Sequence, residues 1–308
     1  MQLPSDPCFF PSRRNFLLAG TAATLSAALL RADKPASPVV DTHLHCFAGK
    51  DDARFPYHAA APYRPAEPAT PEHLLKVMAG AGVDYAVVVH PEPYQDDHRY
   101  LEHCLNEGKG KLKGTCLFFA QKADASANMK DLAKRLPIVA ARIHAYAPER
   151  LPPFGKPELR TFWKQIVELG LAVQLHFEPR YAPGFEPLIR EFKDATVLVD
   201  HMGRPFQGSP EEYERVLKWA DFPNVIVKLS AIPKPTTYPH RDAKPIVQRL
   251  RKLFGPDRLM YGGGYSADAT AASYKSERTR LIELLGDLNE ADQAKILGGN
   301  AARLFGIS

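Results

Sequence analysis

Eight short runs rich in Val, Ile, Leu and Phe recur along the chain, at residues 37–45, 84–90, 113–120, 137–145, 171–178, 195–201, 224–230 and 257–263. Between them the apolar residues repeat with helical rather than strand spacing, as at 71–81, 97–107, 158–169, 210–220, 243–254 and 273–285, with 290–304 closing the chain. Thr70 stands as a cap before Pro71 at the first helical position, and Asn289 caps the last helix with Asp292 in its first turn. Strands that are apolar on both faces must be covered on both, and alternating helices do this around a parallel sheet. Eight such units predict one domain over 37–308, a (β/α)8 TIM-type barrel of the α/β class. An open doubly wound sheet would carry a Gly-rich turn after the first strand. None stands there.

Residues 1–32 read as a separate segment. Arg13 and Arg14 follow Ser12 and lead through Phe16 and Leu17 into an uncharged run ending at Leu30. This predicts a twin-arginine signal peptide and an exported, periplasmic protein. The run is shorter than the ~18 residues a spanning helix needs, so no permanent membrane anchor is expected. Losing Arg13, Arg14, Arg31 and Asp6 lowers the net charge of +5 by two units. No basic run with interleaved aromatics remains, so nucleic acid is not an expected partner and a small-molecule substrate is. Cys46, Cys104 and Cys116 form neither a disulfide framework nor a CxxC metal site. Oligomeric state is not legible. Residues 46–70, rich in Pro and Ala, are long for a connection, which predicts a functional lid or a disordered loop.

Titratable residues gather at the C-terminal ends of the strand runs. Alternation places Asp41, His43 and His45 on one face, and two imidazoles at i and i+2 can converge on one metal ion. By the same rule Gln174, His176 and Glu178 share a face, Arg142 lies with His144, and Lys228 with Ser230. His201 ends the sixth run. Each alone reads as a hydrogen-bonded structural residue; placed together at one end of a barrel, they read as a site.

The segments "DTHLH", "LHFEP", "LVDHMGRP", "NVIVKLSA", "GPDRLMYG" and "ILGGNAARLF" resemble the amidohydrolase superfamily, in particular its amidohydrolase-related branch of pyrone-dicarboxylate and sugar-lactone hydrolases, over residues 38–306. The resemblance implies a (β/α)8 barrel with its site at the C-terminal strand ends. It implies His43, His45, His176 and His201 as site ligands, holding one divalent ion such as zinc or polarising the substrate without metal. Arg142 is implied to bind a substrate carboxylate or the lactone carbonyl, with Arg204 beside it. Lys228, read as exposed, and Tyr146 and Tyr181 are further substrate-binding candidates.

At the eighth strand the branch carries approximately "GSDWP", whose Asp takes a proton from the attacking water. Here Gly262 keeps the Gly, while Gly263, Gly264, Tyr265 and Ser266 replace the rest. The expected replacement base is Glu178, beside catalytic His176 and His201, or Asp268 on a folded-back loop. Three readings follow: a hydrolase of a small lactone or cyclic ester, a lapsed barrel that binds without turnover, or a decarboxylase or other lyase. Glycine tolerates φ > 0 and close approach, so another group is expected in the space the Asp vacates.

Overall fold

The computed structural model describes residues 37–307 apart from Ala147, Pro235 and the side chain of Glu149. The expected signal segment lies outside these residues. All eight expected strands form: β1 Val40–Leu44, β2 Tyr85–Val89, β3 Leu112–Leu117, β4 Ile138–Ala145, β5 Ala172–Phe177, β6 Val197–Val199, β7 Val225–Leu229 and β8 Leu259–Tyr261. They pair in parallel in chain order as one eight-stranded sheet. The sheet curls until β8 lies against β1, where the Thr42 hydroxyl donates to the Tyr261 carbonyl at 2.7 Å.

The helices are α1 Pro71–Ala81, α2 Arg99–Glu107, α3 Ala125–Arg135, α4 Pro157–Glu168, α5 Ala182–Glu191, α6 Pro210–Leu217, α7 Lys244–Phe254, α8 Ala271–Leu285, α9 Glu290–Ala294 and α10 Asn300–Phe305. Thr70 caps α1 and Asn289 caps α9 through their side chains, as expected. Two helices escape the periodicity reading. The α3 stripe is thin, burying Ala125, Met129 and Leu132, and α5 carries Pro187 inside it. The expected helix 290–304 is interrupted by a π turn at Lys295–Gly299. The cause is at Gly298, where a Cβ would collide with the Pro38 carbonyl entering β1.

The barrel interior is layered. Its lower layer is apolar, with Val40, Val87, Ala140, Ala172, Leu198 and Met260 above Ala301 and Phe305 of α10. Above it lies a polar layer. Lys228 Nζ donates to the Thr42 carbonyl at 3.0 Å and to Gln174 Oε1 at 2.7 Å, and Thr115 Oγ1 donates to Gln174 Oε1 at 3.2 Å. Lys228 is therefore not exposed, as the sequence reading had it, but fully buried. The aliphatic stem fills barrel space while the Thr42 carbonyl and the Gln174 side chain accept from the ammonium. Residues 46–70 fold over the mouth, pinned where Phe47 and Ala69 exchange backbone hydrogen bonds and where the Tyr94 hydroxyl accepts the Ala48 N–H at 2.8 Å.

Outside the mouth, buried His98 accepts the Leu117 N–H at Nε2 (3.1 Å) and donates from Nδ1 to the Asp96 carbonyl (3.0 Å). Burial holds its pKa down to about 4, and that of His43 likewise. The unfolded chain takes up these protons near pH 6.5, so between 6.5 and 4 it binds more protons than the fold does. Each such histidine therefore costs the fold about 1.4 kcal/mol per pH unit on acidification through that window. Asp41, raised to about 6 by burial, opposes them, since its contribution is present below 3.8 and lost as pH rises to 6. Two histidines outweigh one aspartate. We expect the Tm to fall between pH 6.5 and 4.5 in a calorimetric series; a Tm that rises on acidification contradicts this balance.

Candidate active site

The site is built around a left-handed turn after β6. His201, Met202, Gly203 and Arg204 all have positive φ, at 53°, 58°, 71° and 60°. Each non-glycine residue there costs roughly 1–2 kcal/mol, so something must hold it. Tyr213 Oη donates to the Met202 carbonyl at 2.9 Å, and Ser230 Oγ accepts the His201 N–H at 3.2 Å. The turn keeps Asp200 inside the barrel and brings His201 and Arg204 to its mouth.

Asp200 is the hub. Its carboxylate accepts from Arg142 Nε at 2.8 Å, Gln174 Nε2 at 3.0 Å and His43 Nδ1 at 3.1 Å, with Lys228 Nζ at 3.8 Å. Burial opposes its ionisation, but His43, Arg142 and Lys228 hold its pKa well below the usual carboxylate range. An ionised carboxylate only accepts, so the proton of His43 sits on Nδ1 and its Nε2 is bare. That Nε2 is buried and has no partner among the described residues. The same logic fixes His45, whose Nδ1 donates to the Val89 carbonyl at 2.7 Å and leaves Nε2 bare. Burial, then the neighbouring His43 and Arg142, holds the His45 pKa well below 6.5. Both rings are neutral at pH 7.

The opposite wall is a chain of contacts. The Arg204 guanidinium donates to His176 Nε2 and lies 4.8 Å over the Tyr146 ring, which stacks on His176 at 5.3 Å. His144 Nδ1 lies between His176 Nδ1 at 3.4 Å and Glu92 Oε1 at 3.1 Å. Glu92 also accepts from Arg150 Nη1 at 2.5 Å. Burial alone would raise the Glu92 pKa, but His144, Arg150 and Arg142 bring it down to about 2. Ring centroids step round the mouth from His45 to His43 (5.2 Å), His201 (4.3 Å), His176 (5.2 Å) and His144 (4.8 Å). Three of them, His45, His176 and His201, border a cavity of about 390 Å³ with Arg142, Arg204 and Tyr146, and with Pro62 and Tyr63 from the 46–70 loop.

Most residues singled out in the sequence thus meet in one place. Glu178 does not line this cavity; its carboxylate pairs with Arg180 at 2.6 Å. Asp268 is exposed and accepts from Ser266 Oγ at 2.7 Å, and Tyr181 is also absent from the lining. Asp41 leaves the face it was expected to share with His43 and His45. A register shift between Asp41 and Leu44 breaks the alternation, and its carboxylate accepts Tyr274 Oη at 2.5 Å, Gly263 N–H at 2.8 Å and His43 N–H at 2.9 Å. Asp200, Glu92 and Arg150 were missed. Asp200 stands beside His201 in a motif read only for its histidine, and Glu92 lies in a short 3-10 turn, Glu92–Tyr94, without periodicity.

The metal expectation can be tested on the donor set. His43, Asp200 and His201 each offer one ligand atom within 4.8 Å of the others. The bare, unpartnered His43 Nε2 is what a ligand would present, and mixed N/O donors suit zinc. His176 belongs elsewhere, because its Nε2 accepts from Arg204. Of the four expected imidazoles, His43 and His201 belong to this donor set, with the Asp200 carboxylate as its third member.

The glycines of strand eight also find their reason. Gly264 has φ +117°, and a Cβ there would stand 2.7 Å from the Tyr274 ring. The position faces α8 rather than the imidazoles, and Tyr274 fills the space. Gly264→Asp is expected to cost about 2–5 kcal/mol, combining backbone strain and overpacking, and to leave activity unimproved. Urea midpoints of the two proteins check this; an equal midpoint contradicts the placement of Tyr274.

The profile of the amidohydrolase family matches residues 40–307. The chain is 26% identical to L-fucono-1,5-lactonase of Burkholderia ambifaria over 280 residues, covering 87% of this chain and 95% of the relative. Its fold superposes on the probable 2-pyrone-4,6-dicarboxylic acid hydrolase of Acinetobacter baumannii, which has citric acid bound, with TM-score 0.71 and 20% identity, covering 87% and 99% of the two chains. A 2,6-dihydroxybenzoate decarboxylase shares the fold at TM-score 0.60 and 16% identity, covering 88% of this chain and 99% of that one.

Proposed function

From a chain that belongs to the amidohydrolase family, and from the site it carries, we propose hydrolysis of a small lactone by addition of water to the ring carbonyl. The observation that carries this reading is a neutral His45 with a bare Nε2, on a cavity that also presents Arg142 and Arg204. The lactonase relative supports the substrate class.

In this reading His45 Nε2 takes a proton from water as the water oxygen adds to the carbonyl carbon. The neutral imidazole with its bare Nε2 is the form able to accept that proton and later return it. Arg142, anchored on Asp200, and Arg204, aligned by His176, orient the substrate and donate to the oxygen that gains charge. The ring C–O bond then breaks, and the departing alkoxide recovers the proton from His45. Lactone and water give one hydroxy acid. A divalent ion held by His43, Asp200 and His201 would supply Lewis-acid polarisation of the carbonyl or the water.

The test is a panel of sugar lactones, carboxylated lactones and pyrone dicarboxylates, followed by acid release, with hydroxybenzoates run alongside for loss of CO2. We expect at least one lactone to be opened with kcat/KM near or above ~10⁴ M⁻¹s⁻¹. Binding of lactones without opening would instead mark a ligand-binding barrel, and CO2 release alone would mark a lyase.

A further inference from the structure

We propose that Glu92 is a specificity-determining residue: by occupying Arg150 it sets the cavity to accept one anionic group, so that the substrate is a lactone carrying a single carboxylate. The lactone part of this statement rests on the function proposed above; the charge part rests on the cavity itself.

Three arginines line the cavity, Arg142, Arg150 and Arg204, against one lining carboxylate among the described residues, Glu92. Arg142 is tied to Asp200 at 2.8 Å. Lys228, beneath it, is faced by Asp200 and by Asp41. Arg150 is tied to Glu92 at 2.5 Å. Arg204 is the exception: no ion pair joins it to a carboxylate among the described residues, and its contacts are His176 Nε2 and the face of Tyr146. Its Nε is buried and has no hydrogen-bond partner among the described residues. One lining cation is thus left with donors to spare, beside the neutral imidazole proposed as base.

A second substrate carboxylate would have to reach Arg150. To do so it must displace Glu92 or stand beside it, and like charges brought together at an interface suppress the wrong partner strongly. Glu92 cannot readily swing away, because His144 on β4 holds the same carboxylate oxygen at 3.1 Å. Glu92 therefore subtracts one anion from what three arginines would otherwise bind.

The experiment uses the full chain and Glu92→Gln, which keeps the size and an oxygen for His144. Two ligand pairs are read: γ-butyrolactone bearing one or two carboxylates, by kcat/KM, and glutarate against its monoamide, by calorimetric binding. The native protein should favour the singly charged member of each pair by about tenfold, and Glu92→Gln should gain about tenfold on the doubly charged member while changing less than about threefold on the other. Glu92→Asp, which keeps the charge, should keep the native preference even if Glu92→Gln folds poorly. An equal loss on both members in Glu92→Gln, or a native preference for the doubly charged one, overturns the inference. If no lactone is opened but the glutarate ratio shifts as stated, the charge rule stands and the lactonase reading falls.

Discussion

Asp200→Ala should destabilise the barrel by about 3–5 kcal/mol, the cost of stripping one partner from a buried ion pair. The carboxylate is fully buried and is the acceptor shared by Arg142, His43 and Gln174, with Lys228 close behind. Without it two buried cations, Arg142 and Lys228, lose the carboxylate they share. For a domain of this size the loss should lower the Tm by roughly 6–20 °C, read from a thermal melt beside the native protein. Asp200→Asn keeps the volume and one acceptor oxygen, so it should fall between the two. Its activity should still drop, because a neutral amide no longer dictates which nitrogen of His43 carries the proton. An unchanged Tm in the alanine variant would mean that Asp200 is not the hub described here.

His45→Gln should lower kcat/KM on the best lactone by ~10²–10⁴, the usual contribution of a positioned base, or about 3–5 kcal/mol of barrier. The fold should survive, since glutamine can still donate to the Val89 carbonyl and the imidazole is only half-buried. The loss should fall on kcat with little change in KM, because His45 acts on the water rather than holding the substrate. In the native protein protonation of His45 removes the base, and its pKa is depressed well below 6.5. Activity should therefore be level from pH 6.5 to 8 and decline only on further acidification. A variant with native kcat would move the base elsewhere in the cavity.

The barrel was legible because its signals are local and repeated. Eight apolar runs of strand length recur with helical spacing between most of them, and caps such as Thr70 and Asn289 mark their own helices. The helices missed are those whose pattern is thin or broken by proline, α3 and α5. The histidine mouth was legible for a related reason, since strand ends at one pole of a barrel converge whatever the loops do. What escaped depends on contacts far apart in sequence. The Asp200 hub gathers β1, β4, β5 and β7 onto one carboxylate, and no spacing rule reports this. Strand alternation misplaced Asp41 because a register shift in β1 turned it toward Tyr274, 233 residues away. The same tyrosine explains Gly264, a departure that the sequence shows as a loss and the packing shows as an exchange of partners. Glu178, expected on the face of His176, stands just past the end of β5 and pairs with Arg180.

The most direct test of the account is hydrolysis of a lactone by the native protein in oxygen-labelled water, with the position of the label read by mass spectrometry. The account predicts turnover despite glycine at position 264, with one labelled oxygen in the product carboxylate, because water adds at the carbonyl carbon. Label in the product hydroxyl, or no product from any lactone the cavity binds, would contradict it.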